Sequence, residues 1–121
     1  MLVDDDAGAL RGLAMALKML RHSCETFNDP LDARESFRAG AYDVVITDIC
    51  MPHISGFELG TQIRQLRPNA RIIYMSGQMS ANAEEELEKD SQRFFLRKPI
   101  NFDEIREILN RLGEPARAVD G

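Results

Sequence analysis

The sequence predicts a single α/β domain built on one doubly wound, five-stranded parallel sheet with helices on both faces. Three observations carry that expectation. Its 121 residues suit one domain with one core. Apolar runs of strand length recur five times, with stretches of helical spacing between them. The expected helix starts carry side chains able to accept the unpaired N–H groups of a first turn. Such a β-then-α alternation forces parallel strands joined by right-handed crossovers, which place helices on both sides of the sheet.

The first strand is Leu2-Val3, short for an element expected at the centre of the sheet. Asp6 caps the helix that follows, whose apolar stripe is Leu10, Leu13, Leu17 and Leu20. A weaker strand runs from Cys24 to Phe27. Asp29-Pro30 then opens the second helix, placing Pro where its missing N–H costs nothing, and Gly40 closes it. Val44-Val45-Ile46 is the third strand. Ser55-Gly56-Phe57-Glu58 sets a cap three residues before a Glu and starts a helix with Phe57, Ile63 and Leu66 on its stripe. The fourth strand is Ile72 to Met75. After it, a helix from about Ala81 to Lys89 has Leu87 as its one large apolar residue among Glu84, Glu85, Glu86 and Glu88, and is expected to pack loosely. Phe94-Phe95-Leu96 is the fifth strand, and Asn101-Phe102-Asp103-Glu104 opens the last helix, with Phe102, Ile105, Leu109 and Leu112 on its stripe. The domain is thus expected over 1–112, with 113–121 a flexible C-terminal tail or the start of a linker.

Apolar residues make up 44% and charged residues 29%, a globular balance. Fifteen Lys and Arg against twenty Asp and Glu leave a net charge of −5, which argues against a broad basic face for nucleic acid. No apolar run approaches the roughly 18–20 residues of a membrane span and no signal-peptide pattern opens the chain, so a cytoplasmic location without membrane contact is expected. Cys24, Cys50, His22 and His53 show no metal-ligand spacing, and reduced thiols are the default.

In an open parallel sheet the functional crevice lies beyond the carboxyl ends of the strands. Here the strands end in Asp4-Asp5-Asp6, Thr47-Asp48, Ser76-Gly77 and Lys98-Pro99. Acids after two neighbouring strands bring like charges together, which a hard divalent cation resolves. Carboxylate, carbonyl and water oxygens suit Mg²⁺ or Mn²⁺, and an incompletely filled shell admits a phosphoryl oxygen. Taken singly, each feature has a plainer explanation: a solvated turn for Asp4 to Asp6, a turn residue for Asp48, a turn signal for Ser76-Gly77, a strand-end charge for Lys98. The long turn from Thr47 to Gly56, whose Pro52 and Gly56 are expected to hold the backbone clear of the acid, favours chemistry at Asp48. A carboxylate beside a divalent ion can attack phosphorus in line and form an acyl phosphate. Lys98, one of three lysines against twelve arginines, offers a compact ammonium on a flexible stem, and Ser76 a hydroxyl for the same oxygens.

Together these residues resemble the receiver domain of two-component response regulators, over roughly residues 1–112. Val3-Asp4-Asp5-Asp6 is similar to that family's acidic turn, Asp48-Ile49-Cys50-Met51-Pro52 with Gly56 to its phosphoacceptor loop, Ser76-Gly77 to its switch hydroxyl and small neighbour, and Lys98-Pro99 to its closing motif. The resemblance implies a flavodoxin-like strand order 2-1-3-4-5 and phosphorylation of Asp48 by a sensor histidine kinase or phosphotransfer protein. It implies Mg²⁺, with Mn²⁺ as substitute, on Asp5, Asp48 and the main-chain carbonyl of Cys50, with Asp4 acting through water. It also implies Lys98 on the phosphoryl group, and Ser76 and Phe95 as switch residues biasing the fourth helix, fifth strand and fifth helix. Such a domain is no autonomous enzyme: it catalyses only its own phosphorylation and dephosphorylation. An output partner, a deleted output domain and a homodimer are all compatible with the sequence.

Three other readings compete. A haloacid-dehalogenase-like phosphohydrolase needs a second Asp where Cys50 stands, and a flavodoxin-like cofactor carrier would set three acids against flavin phosphate. The stronger alternative is a phosphorylation-independent interaction module of the same shape, in which the short first strand misplaces Asp4 and Asp5.

Overall fold

The computed structural model describes residues 1–40, 42–78, 80–89 and 94–120, with the helical backbone alone for 113–120. Strands and helices alternate in it as β1 (Leu2–Val3), α1 (Ala7–Met19), β2 (Thr26–Phe27), α2 (Pro30–Ala39), β3 (Val44–Asp48), α3 (Gly56–Leu66), β4 (Arg71–Ser76), α4 (Ala81–Glu88), β5 (Phe94–Arg97) and α5 (Phe102–Asp120). All pairings are parallel and the order is β2-β1-β3-β4-β5, as the resemblance implied. The expected tail, 113–121, lies outside the described side chains, and α5 as assigned runs on to Asp120.

Successive strand residues point to opposite faces, so each strand feeds two cores. Val3, Val45, Ile72 and Tyr74 face α2 and α3, while Leu2, Ile46, Ile73 and Met75 face α1 and α5. β1 is two residues long, yet Leu2 and Val3 are buried and registered against both neighbours, Leu2 opposite Thr26 and Ile46, Val3 opposite Phe27 and Thr47. Flanking main-chain bonds from Ile46 N–H to Met1 O and from Asp4 N–H to Phe27 O extend that register beyond the strand itself. This brings Asp4 out of the sheet beside the end of β3.

The caps form as the sequence requires. Asp6 accepts from the amides of Gly8 and Ala9, Asp29 from Leu31, Ser55 from Glu58, Ser80 from Ala83, and Asn101 from Asp103 and Glu104. Two apolar stripes differ from expectation. In α3 the buried face is Gly56, Leu59, Gly60 and Ile63, and Leu66, at the last residue, is exposed. In α5 Ile105, Ile108 and Leu112 are buried, whereas Phe102 lies at the first turn beyond the sheet and is partly exposed. Both departures sit at helix ends, Leu66 at the last residue of α3 and Phe102 at the first of α5, where the side chain lies past the core. α4 buries no residue and touches the core through half-buried Leu87, in line with the thin stripe.

Gly60 marks a close approach between α3 and β4. A Cβ there would lie 2.2 Å from the Tyr74 hydroxyl oxygen, so the tyrosine fits because position 60 has no side chain. The Tyr74 ring also packs on Phe57 at 4.9 Å between centroids.

At the end of α1 the chain leaves through a left-handed residue. Arg21 has φ 66° while its amide bonds Lys18 O and the His22 amide bonds Leu17 O, the two bonds of a Schellman motif. An L side chain in that conformation costs about 1 kcal/mol. Arg21→Gly is therefore expected to stabilise the fold by about 1 kcal/mol, seen as a higher urea midpoint with unchanged slope, and Arg21→Ala to leave the midpoint nearly where it was.

Candidate functional site

The strand order reverses between β1 and β3, and the crevice beyond their carboxyl ends is where such a sheet can bind. Asp4 follows β1, Asp48 ends β3, Ser76 ends β4, and Lys98 follows β5. Asp4, Thr47, Asp48 and Ser76 are the buried polar residues among those described, and all stand at this end of the sheet.

The geometry brings the acids together. Asp4, Asp5 and Asp48 each present a carboxylate oxygen, and these lie within 4.8 Å of one another. The short first strand therefore does not misplace Asp4 and Asp5. Lys98 Nζ reaches both buried acids, at 2.7 Å from Asp4 Oδ2 and 3.3 Å from Asp48 Oδ2. The other Asp4 oxygen accepts from the Asp6 amide at 3.0 Å, and Asp48 Oδ1 accepts from the Cys50 amide at 3.4 Å. Asp5 is exposed at the mouth.

Burial, then the charge of Asp4, pushes the Asp48 carboxyl above the usual aspartate value, and Lys98 offsets this only in part. For Lys98, burial alone would lower the amine, but the hydrogen bond it donates to Asp4 and the charges of Asp48 and Asp4 outweigh it and hold it above the ordinary lysine value. The amine stays charged at neutral pH. An open group of three carboxylates beside a fixed ammonium suits a hard cation and the anion that travels with it.

The Ser76 hydroxyl is engaged by its own loop, accepting from the Gln78 amide at 3.1 Å and donating to the Gln78 carbonyl. Phe95 is half-buried opposite Tyr74 and packs against the core on the α2–α3 face. The role given to Gly56 needs correcting. It does not hold the backbone clear of the acid: a Cβ at 56 would fall 2.2 Å from the Asp48 carbonyl oxygen, and the Gly56 amide bonds Ile49 O at 2.8 Å. Gly56 lets the first turn of α3 close directly onto the strand end. Two participants lacked a sequence signal: Thr47, fully buried, whose hydroxyl donates to Asp48 O at 3.0 Å, and His53, whose φ of 73° puts a tight turn in the loop closed by Ile54 N–H on Pro52 O.

Fold and site together define the class: a doubly wound α/β domain with a cation-competent carboxylate cluster at its topological switch point. The model of the response regulator receiver domain family matches residues 1–110, and the chain belongs to that family. Receiver domains are two-component signalling modules that take part in phosphoryl transfer without being autonomous enzymes. The chain is 30% identical over 117 residues to the sensor histidine kinase RcsC of Escherichia coli, covering 97% of this chain and 12% of that protein. It is 29% identical over 111 residues to the DNA-binding transcriptional regulator NtrC of Azospirillum brasilense, covering 92% of this chain and 23% of the regulator. The chain thus spans less than a quarter of these relatives' lengths. A receiver domain structure from Methanospirillum hungatei superposes with a TM-score of 0.86 at 22% identity, covering 97% of this chain and 94% of the other. Among the described residues no helix is long and apolar enough to cross a membrane.

Gly56→Ala is expected to destabilise the domain by about 1–3 kcal/mol in thermal unfolding, because the new methyl meets backbone rather than a side chain that can move. A raised folded-state value for Asp48 means that the native state binds more protons than the unfolded chain above the unfolded carboxyl value of 3.8, so stability falls as pH rises from there through the folded value. With chelator present, Asp48→Asn is therefore expected to be more stable than the parent at pH 7, and the gap should close towards pH 3.

Proposed function

We propose that Asp48 accepts a phosphoryl group from a sensor histidine kinase or phosphotransfer protein in a Mg²⁺-dependent reaction, and that the α4–β5–α5 surface changes in response. The observation behind this is the meeting of Asp4, Asp5 and Asp48 within 4.8 Å with the Lys98 amine bridging two of them. Hard oxygen donors suit Mg²⁺ and, in its place, Mn²⁺. In this reading Asp5, Asp48 and the main-chain carbonyl of Cys50 hold the ion directly. Asp4, with its oxygens already engaged by Lys98 and the Asp6 amide, acts through a bound water. The ion, when bound, supplies charge neutralisation at the phosphoryl oxygens.

The chain's own groups do the rest. A carboxylate oxygen of Asp48 attacks phosphorus as the nitrogen–phosphorus bond of the donor breaks, and the donor imidazole, protonated on its other nitrogen, leaves neutral. Lys98 exchanges its Asp48 contact for a phosphoryl oxygen, and its sustained charge suits that exchange. Ser76 supplies a hydroxyl to a second oxygen. Phe95 follows Ser76 by adjusting its packing beside Tyr74, and α4, with nothing buried, yields at small cost.

Incubation with Mg²⁺ and acetyl phosphate is expected to add one phosphoryl group by intact-protein mass spectrometry. Asp48→Asn or excess chelator should abolish the adduct, and Lys98→Ala should cut its yield at least about tenfold. No adduct on the parent chain would leave an interaction module independent of phosphorylation. Steady hydrolysis of added phosphomonoesters would point to a phosphohydrolase instead.

A further inference from the structure

Ser76 ends β4 almost fully buried, and among the described residues both hydrogen bonds of its hydroxyl go to one residue: it accepts from the Gln78 amide and donates to the Gln78 carbonyl. A hydroxyl has a single proton, so a donation to the Gln78 carbonyl excludes a donation to a phosphoryl oxygen. Gln78 is exposed, so water can take over its amide and carbonyl when the hydroxyl departs. We infer that the main chain of Gln78 is a latch that holds Ser76 in a resting arrangement, and that Ser76 answers a phosphoryl group at Asp48 only after both bonds to residue 78 are released.

This inference rests on the phosphoacceptor reading above and adds the restraint that opposes it. The latched and phosphoryl-bonded hydroxyl are mutually exclusive, so whatever weakens one favours the other. Gln78 is a positioning residue here, acting through backbone groups rather than its side chain. A carbonyl cannot be removed by substitution, but an amide can, because proline has none. Gln78 lies outside the left-handed region that would bar a proline, and Gly77 before it is exposed and has no Cβ to crowd the ring.

The test titrates Mg²⁺ with beryllium trifluoride, a phosphoryl mimic, into four proteins by calorimetry: parent, Gln78→Pro, Ser76→Ala and the double variant. Loss of one net hydrogen bond from the resting state alone should tighten binding about two- to tenfold in Gln78→Pro. The same proline should change nothing in the Ser76→Ala background, because no hydroxyl remains to be latched. Equal tightening in both backgrounds, or none in either, overturns the latch. Failure of the parent to bind the mimic overturns the phosphoacceptor reading instead. Amide hydrogen exchange at residue 78 then decides the latch without any ligand: the parent should protect that amide and Ser76→Ala should expose it, whereas equal exchange in both refutes the inference.

Discussion

Asp4 and Asp48 stand on neighbouring strands with their carboxylates turned into one buried crevice, and the Lys98 amine bridges them at 2.7 Å and 3.3 Å. Two like charges in that setting repel strongly, since buried groups lack the screening of bulk water. The ammonium makes the arrangement tolerable, but one positive charge does not balance three carboxylates. The site is left with surplus negative charge by design of the sheet, and a cation followed by an anionic group is what that surplus attracts. The rest of the molecule can be understood as what is needed to hold these four side chains in register.

Parallel strands supply that register. β1, β3, β4 and β5 end side by side, so residues remote in sequence emerge at one rim, and caps at Asp6, Ser55 and Asn101 turn the chain into helices directly beyond it. The helices of the two faces differ in how firmly they are held. α1, α3 and α5 each bury a stripe of side chains, whereas α4 buries none. Charge rearrangement at the rim therefore meets a rigid scaffold on most sides and one compliant element beside β4 and β5.

Much of this was legible in the sequence because it follows from periodicity and from residues at strand ends. The five βα units, the helix caps and the acid, hydroxyl and ammonium set at residues 4, 5, 48, 76 and 98 all lie where local pattern places them. Features that depend on contact between elements were not legible. That Gly56 permits close approach rather than separation shows only when α3 is docked on β3. Thr47 reads as an ordinary strand residue until its burial beside Asp48 is seen, and the left-handed His53 occupies a conformation for which an L residue gives no signal. The orientation of the Ser76 hydroxyl is likewise a choice among rotamers that no spacing encodes.

The fit of Tyr74 against Gly60 ties two distant positions into one unit of sequence change. A residue with even a methyl at 60 fits this core only if the Tyr74 ring shifts or position 74 gives up its phenol oxygen. A methyl at 60 is thus strained while the phenol stays, whereas loss of the hydroxyl at 74 beside glycine is not, so the order of change at the two positions matters.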